Sequence, residues 1–374
     1  MDRMRILQLS EDFYPETSGG ASEDWETAKG MADAGHDVTV VTPLRNDTPE
    51  QETEMGVEIL RPHPAETDGR DRLSVVGIVQ RVRFAILATI YVLDLSKSKS
   101  FDAVYVTNYL LHSVGWILSF RRRLRLVNLI AYSPSNAEES RRLSNPLYVL
   151  EQLNIRLFMG DVVLCRTPVI RDMVEQRTNS EVRLAEGILQ PSEIRQAVHT
   201  DCTEHPTEAG GTLVFVGRLD ENKNPIGALD IVAALPQHHL LIIGDGTLRP
   251  VLEDEISERG LTERVTLMGQ RSHGLTLACI HQADVLILTS RNEAYPTVVF
   301  ESLSLQTPVV ALPVGILPEV DHPHLKLCST GDMQQSIKQL EIKSERGVDE
   351  ETLKRFSIDR FVTDVLWALN AAAQ

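Results

Sequence analysis

The sequence is short of cysteine, of long apolar runs, of positive charge and of lysine. Its four cysteines (Cys165, Cys202, Cys279 and Cys328) lack the paired spacing of a metal ligand set. They are expected to be reduced thiols, which excludes a disulfide-built secreted scaffold and suits a cytoplasmic location. The longest apolar run, 84–93, is about half of what a bilayer span needs. Residues 1–5 lead directly into a strand, so no signal peptide is expected. Lys and Arg number 37 against 53 Asp and Glu, for a net charge of −16, which argues against a nucleic-acid binder. Only eight of the cations are lysine. Internal repeats and low-complexity segments are also missing.

The charge that is present is uneven. Residues 70–125 hold ten Arg and Lys against three Asp, a local balance of +7, and the remainder of the chain carries −23. This basic stretch includes the apolar run 84–93. Cations beside an apolar helix suit an anionic membrane surface, so peripheral membrane contact is one expectation. A core helix with solvated flanks is the other.

With 42% hydrophobic residues, 374 residues can bury two cores. Both halves alternate strand and helix patterns, as a parallel sheet covered on both faces requires. In the first half strands are expected at 5–9, 37–41, 57–61, 103–106, 126–130, 162–165 and 182–185. Helices are expected at 23–34, 75–94 and 147–158. The polar segment 190–211, with Pro191, Pro206, Gly210 and Gly211, reads as a linker. The second half offers strands at 213–216, 240–243, 265–267, 285–288 and 309–312, and helices at 225–234, 250–257 and 297–305. Phe361, Val365, Leu366 and Leu369 give the tail from 358 a helical apolar spacing.

Four loops after strands carry the candidate chemistry. In Ser290-Arg291-Asn292-Glu293-Ala294-Tyr295-Pro296-Thr297-Val298-Val299-Phe300-Glu301, an apolar strand runs into a polar loop and then a helix start. The amides of Tyr295 and of residues 297–299 are expected to project from that start, between two carboxylates. Donors for phosphate beside acceptors for hydroxyls are what a nucleotide-sugar pocket needs. The spacing alone is uninformative, since thirty glutamates would give about 2.4 such pairs by chance. Gly217-Arg218-Leu219-Asp220-Glu221-Asn222-Lys223 follows the next candidate strand, and Arg218 and Lys223 can converge on a diphosphate. Tyr14-Pro15-Glu16-Thr17-Ser18-Gly19-Gly20 and Gly244-Asp245-Gly246 are glycine loops at strand ends, common as turns and also suited to close backbone approach. No Asp-x-Asp pair stands at a strand end for a divalent ion. Among the histidines, His36 reads as a helix-end cap and His112 as a candidate for the acceptor side.

Taken in order, these residues resemble glycosyltransferase family 4, the retaining enzymes of the GT-B fold. The resemblance rests on Pro15 with Gly19 and Gly20, Ala34-Gly35-His36-Asp37-Val38-Thr39-Val40-Val41, Gly217-Arg218 with Lys223, and Gly244-Asp245-Gly246. It extends to Glu293 and Glu301 followed by Thr307-Pro308-Val309-Val310-Ala311, and to Pro318-Glu319. It implies two doubly wound, Rossmann-like α/β domains facing a deep cleft. The N-terminal, acceptor-side domain would span 1–190, a linker 191–210 and the donor domain 211–357, with the tail helix 358–374 packed back on the first domain.

The resemblance also implies roles. Arg218 and Lys223 hold the donor diphosphate, Glu293 lies against the sugar and Glu301 takes the ribose hydroxyls. Gly19, Gly20, Gly217, Gly246, Ala294, Tyr295, Pro296, Thr297 and Val298 line the donor site, and Tyr14, His112, Tyr132 and Ser133 are placed on the acceptor side. No cofactor and no metal are expected. Three places depart from the family pattern. Ala131-Tyr132-Ser133-Pro134 stands where members often carry a histidine, Glu186-Gly187-Ile188-Leu189 replaces the usual Asn-Gly-Val-Asp, and Ala294 replaces a glycine.

The expected activity is transfer of a sugar, with retention, from a nucleotide-diphosphate sugar to a glycan, lipid-linked or small-molecule acceptor. Two alternatives remain at this point: an inactive donor-binding paralogue serving as a partner subunit, and a sugar-nucleotide epimerase of the same fold.

Overall fold

A computed structural model describes residues 2–16, 19–45, 48–62, 75–131, 146–202, 211–293, 295–340 and 346–371. The chain forms two compact units: unit 1 is Met1–Gly187 with Ile358–Gln374, and unit 2 is Ile188–Ser357.

Among the described residues unit 1 has an eight-stranded sheet. The strands are β1 (Arg5–Leu9), β2 (Asp37–Val41), β3 (Gln51–Glu54), β4 (Val57–Leu60), β5 (Ala103–Val106), β6 (Arg125–Ile130), β7 (Val162–Cys165) and β8 (Glu181–Leu184). Their spatial order is β3-β4-β2-β1-β5-β6-β7-β8. All neighbours are parallel except β3, which pairs antiparallel with β4 across a turn where Met55 and Gly56 both take positive φ. Gln51-Glu52-Thr53-Glu54 is polar throughout and carries no strand signal, so this edge hairpin is absent from the sequence expectation.

Successive residues of β1 point to opposite faces and both faces are covered, which is why the strand reads as a continuous apolar run. On one face Ile6, Tyr105, Val127 and Leu129 meet α1 (Gly19–Asp33) and the C-terminal helix Ile358–Ala371. On the other face Leu7, Leu9, Val104 and Val106 meet α2 (Val75–Ser98) and α3 (His112–Arg122). Further along that second face, Ile130, Val163 and Cys165 meet α4 (Pro146–Leu157) and α5 (Pro168–Glu175).

Unit 2 has a six-stranded, all-parallel sheet among the described residues. It comprises β9 (Thr212–Val216), β10 (His239–Ile243), β11 (Val265–Gly269), β12 (Val285–Leu288), β13 (Val309–Ala311) and β14 (Leu325–Leu327). The order is β11-β10-β9-β12-β13-β14. Its helices are α6 (Pro191–Ala197), α7 (Pro225–Ala233), α8 (Arg249–Glu258), α9 (His273–Gln282), α10 (Thr297–Ser304), α11 (Met333–Lys338) and α12 (Glu350–Arg355). Strand order reverses between β9 and β12. In open α/β sheets, ligands gather at the carboxyl ends of the strands flanking such a point.

Two expectations need correction. The segment read as a linker from 191 contains α6, which starts at Pro191 and buries Ile194 and Ala197, so these residues belong to unit 2. The four cysteines are not all free thiols: Cys202 and Cys279 form a disulfide across 77 residues of sequence. Cys279 lies on α9, and the two residues approach only because α6 and α9 pack together, a contact that sequence spacing does not encode. The ground for reading a reducing compartment is removed with it. Cys165 and Cys328 are free, and burial pushes the Cys165 thiol up to about 12. Among the described residues no helix is long and apolar enough to cross a membrane.

Candidate active site in unit 2

The loops after β9 and β12, the strands at the switch point, are laced together. Thr289 Oγ1 donates to the carbonyls of Lys223 and Asn224 at 3.1 and 2.9 Å. The Arg291 amide reaches Asn222 O at 2.7 Å, and Asn222 Nδ2 reaches Asn292 O at 2.9 Å. This lacing brings Lys223 Nζ to Glu293 Oε1 at 2.5 Å, with both side chains mostly enclosed. Asp220 sits beneath them. One of its oxygens accepts the Lys223 amide at 2.9 Å, and the other accepts Arg218 Nε at 2.7 Å. Burial raises the Asp220 pKa, but these donors outweigh burial and hold it below the usual carboxylate value. Arg218 remains 73% exposed at the loop tip.

The glycine loop after β10 supports this arrangement from the side. A Cβ on Gly244 would lie 1.9 Å from Gly217 O, and one on Gly246 would lie 2.5 Å from Leu219 O. Only bare backbone allows the two loops to bond through Gly217 N to Ile243 O at 3.0 Å and Leu219 N to Asp245 O at 2.9 Å. Here Gly246 shapes the Arg218 loop by close packing.

Tyr295 stacks on Phe300 at 4.5 Å, and Phe300 lies 4.4 Å from Phe356, which fixes the approach to α10. Pro296 stands at the N-cap position, just before the helix, with Thr297 and Val298 in the first turn. The Val299 amide bonds Pro296 O at 3.0 Å, so it is internal to the turn and does not project as the sequence suggested. Ala294 lies outside the described residues. Glu301 is the fifth residue of α10 and is 7% exposed.

The structure adds one residue that sequence reading missed. His273 donates from Nε2 to Glu301 Oε1 at 2.8 Å and pairs through Nδ1 with Glu193 on α6. The hydrogen bond to Glu301 leads the effects that raise the His273 pKa to about 9, with Glu193 adding to it against burial. The imidazole is therefore a cation at neutral pH, held between two carboxylates. Its signal was Ser272, whose hydroxyl accepts the Leu275 amide and caps α9. A serine before an apolar run marks a helix start and puts the next residue at its first position.

Of the residues expected on the acceptor side, Tyr14 and His112 are described, both in unit 1. Tyr14 stacks on Trp25 at 4.9 Å. Gly19 and Gly20 open α1, and a Cβ at Gly20 would meet open space. His112 is 1% exposed, with Nδ1 3.1 Å from Asn154 Oδ1. Burial lowers its pKa to about 4, so the ring is neutral and enclosed. His36 is buried and structural, but its Nδ1 accepts the Met4 amide at 3.1 Å, a bond to the start of β1 and not the helix-carbonyl cap expected. Tyr132 and Ser133 lie outside the described residues.

Comparison with known proteins fits this geometry. A model described as "Glycosyl transferase 4-like domain" matches residues 19–184, and "Glycosyl transferases group 1" matches 204–345. The chain is 24% identical over 342 residues to glycogen synthase of Mycobacterium tuberculosis, covering 84% of this chain and 80% of that protein. Sucrose-phosphate synthase from Thermosynechococcus elongatus has a similar fold, with a TM-score of 0.70 at 18% identity over 99% of this chain and 96% of that one. Anabaena HepE, solved with UDP and glucose, gives a TM-score of 0.65 at 18% identity over 99% and 100% of the two chains. The fold is GT-B, and the chain belongs to the GT-B glycosyltransferase superfamily.

Proposed function

We propose that this protein transfers a hexosyl group from a nucleotide-diphosphate sugar to a hydroxyl acceptor, with retention of anomeric configuration and without a metal. The observation that carries this reading is the Lys223–Glu293 pair, set between the two strand ends at the switch point of unit 2. A cation for the diphosphate lies against a carboxylate for the sugar hydroxyls, and Arg218 adds a second cation at the loop tip. As the bond between the sugar's anomeric carbon and the phosphate oxygen breaks, charge grows on the leaving group, and Arg218 and Lys223 stabilise it there. The new bond forms from the acceptor oxygen to the same face of that carbon. The acceptor's proton passes to a departing phosphate oxygen, which leaves as part of the nucleoside diphosphate.

Glu301 holds the ribose hydroxyls, with His273 fixing the carboxylate through Oε1. HepE, crystallised with UDP-glucose, and glycogen synthase as a named relative support a nucleotide sugar as donor. The acceptor is a glycan, a lipid-linked sugar or a small hydroxyl compound.

The test is to incubate the protein with nucleotide sugars and candidate acceptors. Free nucleoside diphosphate and a glycosylated product are then measured, and the first-formed product is read by NMR. An inverted anomeric centre overturns the mechanism. Binding without turnover would favour a donor-binding partner subunit.

A further inference from the structure

Among the described residues ten large apolar side chains are exposed, and eight of them lie on α2 to α5, the helix layer on one face of the unit 1 sheet. The clearest group is on α2. Phe84, Ala88 and Val92 pack inward, whereas Val79, Val82, Ile86 and Ile90 recur at three- and four-residue steps on the outside. Ile86 is 57% and Ile90 63% exposed. A helix that only covers a sheet carries polar residues at such positions. On the neighbouring α3, Phe120 is 74% exposed and stacks on Trp116 at 5.6 Å.

The same layer carries positive charge. Arg83, Arg121, Arg122, Arg123 and Arg156 are exposed. The exposed acid of α2, Asp94, is paired with Lys97 at 2.9 Å. Arg122 ties α3 to α2 through Ser96 Oγ at 2.9 Å. A second copy presenting this face would set arginine against arginine. A copy docking by its acidic remainder would make a head-to-tail contact, which builds a ring or an open filament and leaves the stripe of at least one face without a two-fold partner. An anionic bilayer matches both features: acyl chains for the apolar stripe and headgroups for the guanidinium groups.

We propose that unit 1 docks on an anionic lipid surface through the outer face of α2 and Phe120, with Arg121, Arg122 and Arg123 against the headgroups. Arg81, on the N-terminal half of α2, bonds Glu11 after β1 and Asn108 after β5, so the stripe starts beside the carboxyl ends of the sheet. A hydroxyl acceptor carried on lipid would arrive at that edge. This use rests on the proposed function, whereas the docking stands without it.

The experiment is sedimentation of the full chain at low salt, without donor, with phosphatidylcholine vesicles and with vesicles containing about one phosphatidylglycerol in three. Pelleting is expected with the anionic vesicles alone. Ile86→Ser/Ile90→Ser should lower partitioning by more than about tenfold. Arg121→Glu/Arg123→Glu should lower it by at least about 25-fold, about fivefold for each cation lost. Both variants should keep the wild-type melting temperature, because all four side chains are exposed. Supernatant protein with anionic vesicles, or variants that pellet like wild type, overturns the proposal. So does an unlipidated oligomer that the isoleucine changes dissociate, since the occupant is then a second copy. Loss of transferase activity with pelleting intact leaves the docking standing and refutes only the activity.

Discussion

In unit 2 the polar side chains at the strand ends reach one another while staying partly open: Lys223 to Glu293, Arg218 to Asp220, and His273 to Glu301. In unit 1 two charged groups, Arg166 and Asp24, are sealed inside. Arg166 is 2% exposed, pairs with Glu23, donates to Gly187 O at 2.8 Å and lies over the Phe361 ring at 3.8 Å. Asp24 is 8% exposed and accepts Thr107 Oγ1 at 2.6 Å. Burial, reinforced by Glu23, pushes its carboxyl well above the ordinary value. Paired but accessible charges can exchange partners for a ligand. Buried ones cannot do so without the cost of an uncompensated charge, so they hold the backbone. The two sheets are built alike, yet Arg166 and Asp24 serve the fold of unit 1, whereas the paired charges of unit 2 stand open to a ligand. Unit 1 also exposes apolar surface on its helix layer.

The sharpest way to break this contrast is Lys223→Ala. Loss of a charge acting on the leaving group is expected to lower kcat by roughly 100- to 1000-fold with the fold intact. Unchanged kcat/KM would remove the residue from the site. The matched change in unit 1, Arg166→Ala, strands Glu23 in the interior and should act on stability, by about 3 kcal/mol or more in chemical denaturation. Cys202→Ser should cost unit 2 about 4 kcal/mol, because the bridge closes a loop of 77 residues. A denaturation midpoint unaffected by reductant would show that the bridge does not hold α6 to α9. Glu301→Ala should raise the donor KM about tenfold while leaving kcat near wild type, since ribose contacts are made equally before and during bond breaking. A collapsed kcat at unchanged KM contradicts that.

The smallest effect concerns pH. His273 binds its proton more tightly in the folded protein, so its hold on Glu301 is complete below pH 6.5 and is lost as pH rises through about 9. Donor KM should climb severalfold across that range in the wild type and stay flat in His273→Ala. Parallel profiles would limit His273 to a structural role. His112 has the opposite sign. Its pKa is lowered to about 4, so its contribution to stability is present above pH 6.5 and fades as pH falls through about 4.

Unit 2 was the more legible half because its function needs fixed residue types at loop positions. Glycines appear where backbones touch, and cations and carboxylates appear after apolar strands. Gly244, Lys223, Glu293 and Glu301 could be picked out for those reasons. His273 was not, because α9 is buried all round from Thr276 to Ile280 and shows no helical stripe, and its partner Glu193 lies in a segment whose prolines and polarity suggested a linker. The disulfide depends on the same α6–α9 contact. In unit 1 the parallel strands were readable as apolar runs, but β3 is polar and forms only because β4 gives it a partner. The sequence leaves the run 84–93 open between a membrane-facing and a core helix; in the structure the helix buries Phe84, Ala88 and Val92 and exposes Ile86 and Ile90.

The C-terminal helix sets an order of events. Phe361, Val365 and Leu369 complete a core that also contains Ile6, Tyr105 and Leu129, and about 170 residues of unit 2 lie between those two stretches of chain. Unit 1 therefore completes this core only after all of unit 2 has been synthesised. A nascent chain stopped before residue 358 would leave that core open to chaperones, whatever the condition of the site in unit 2.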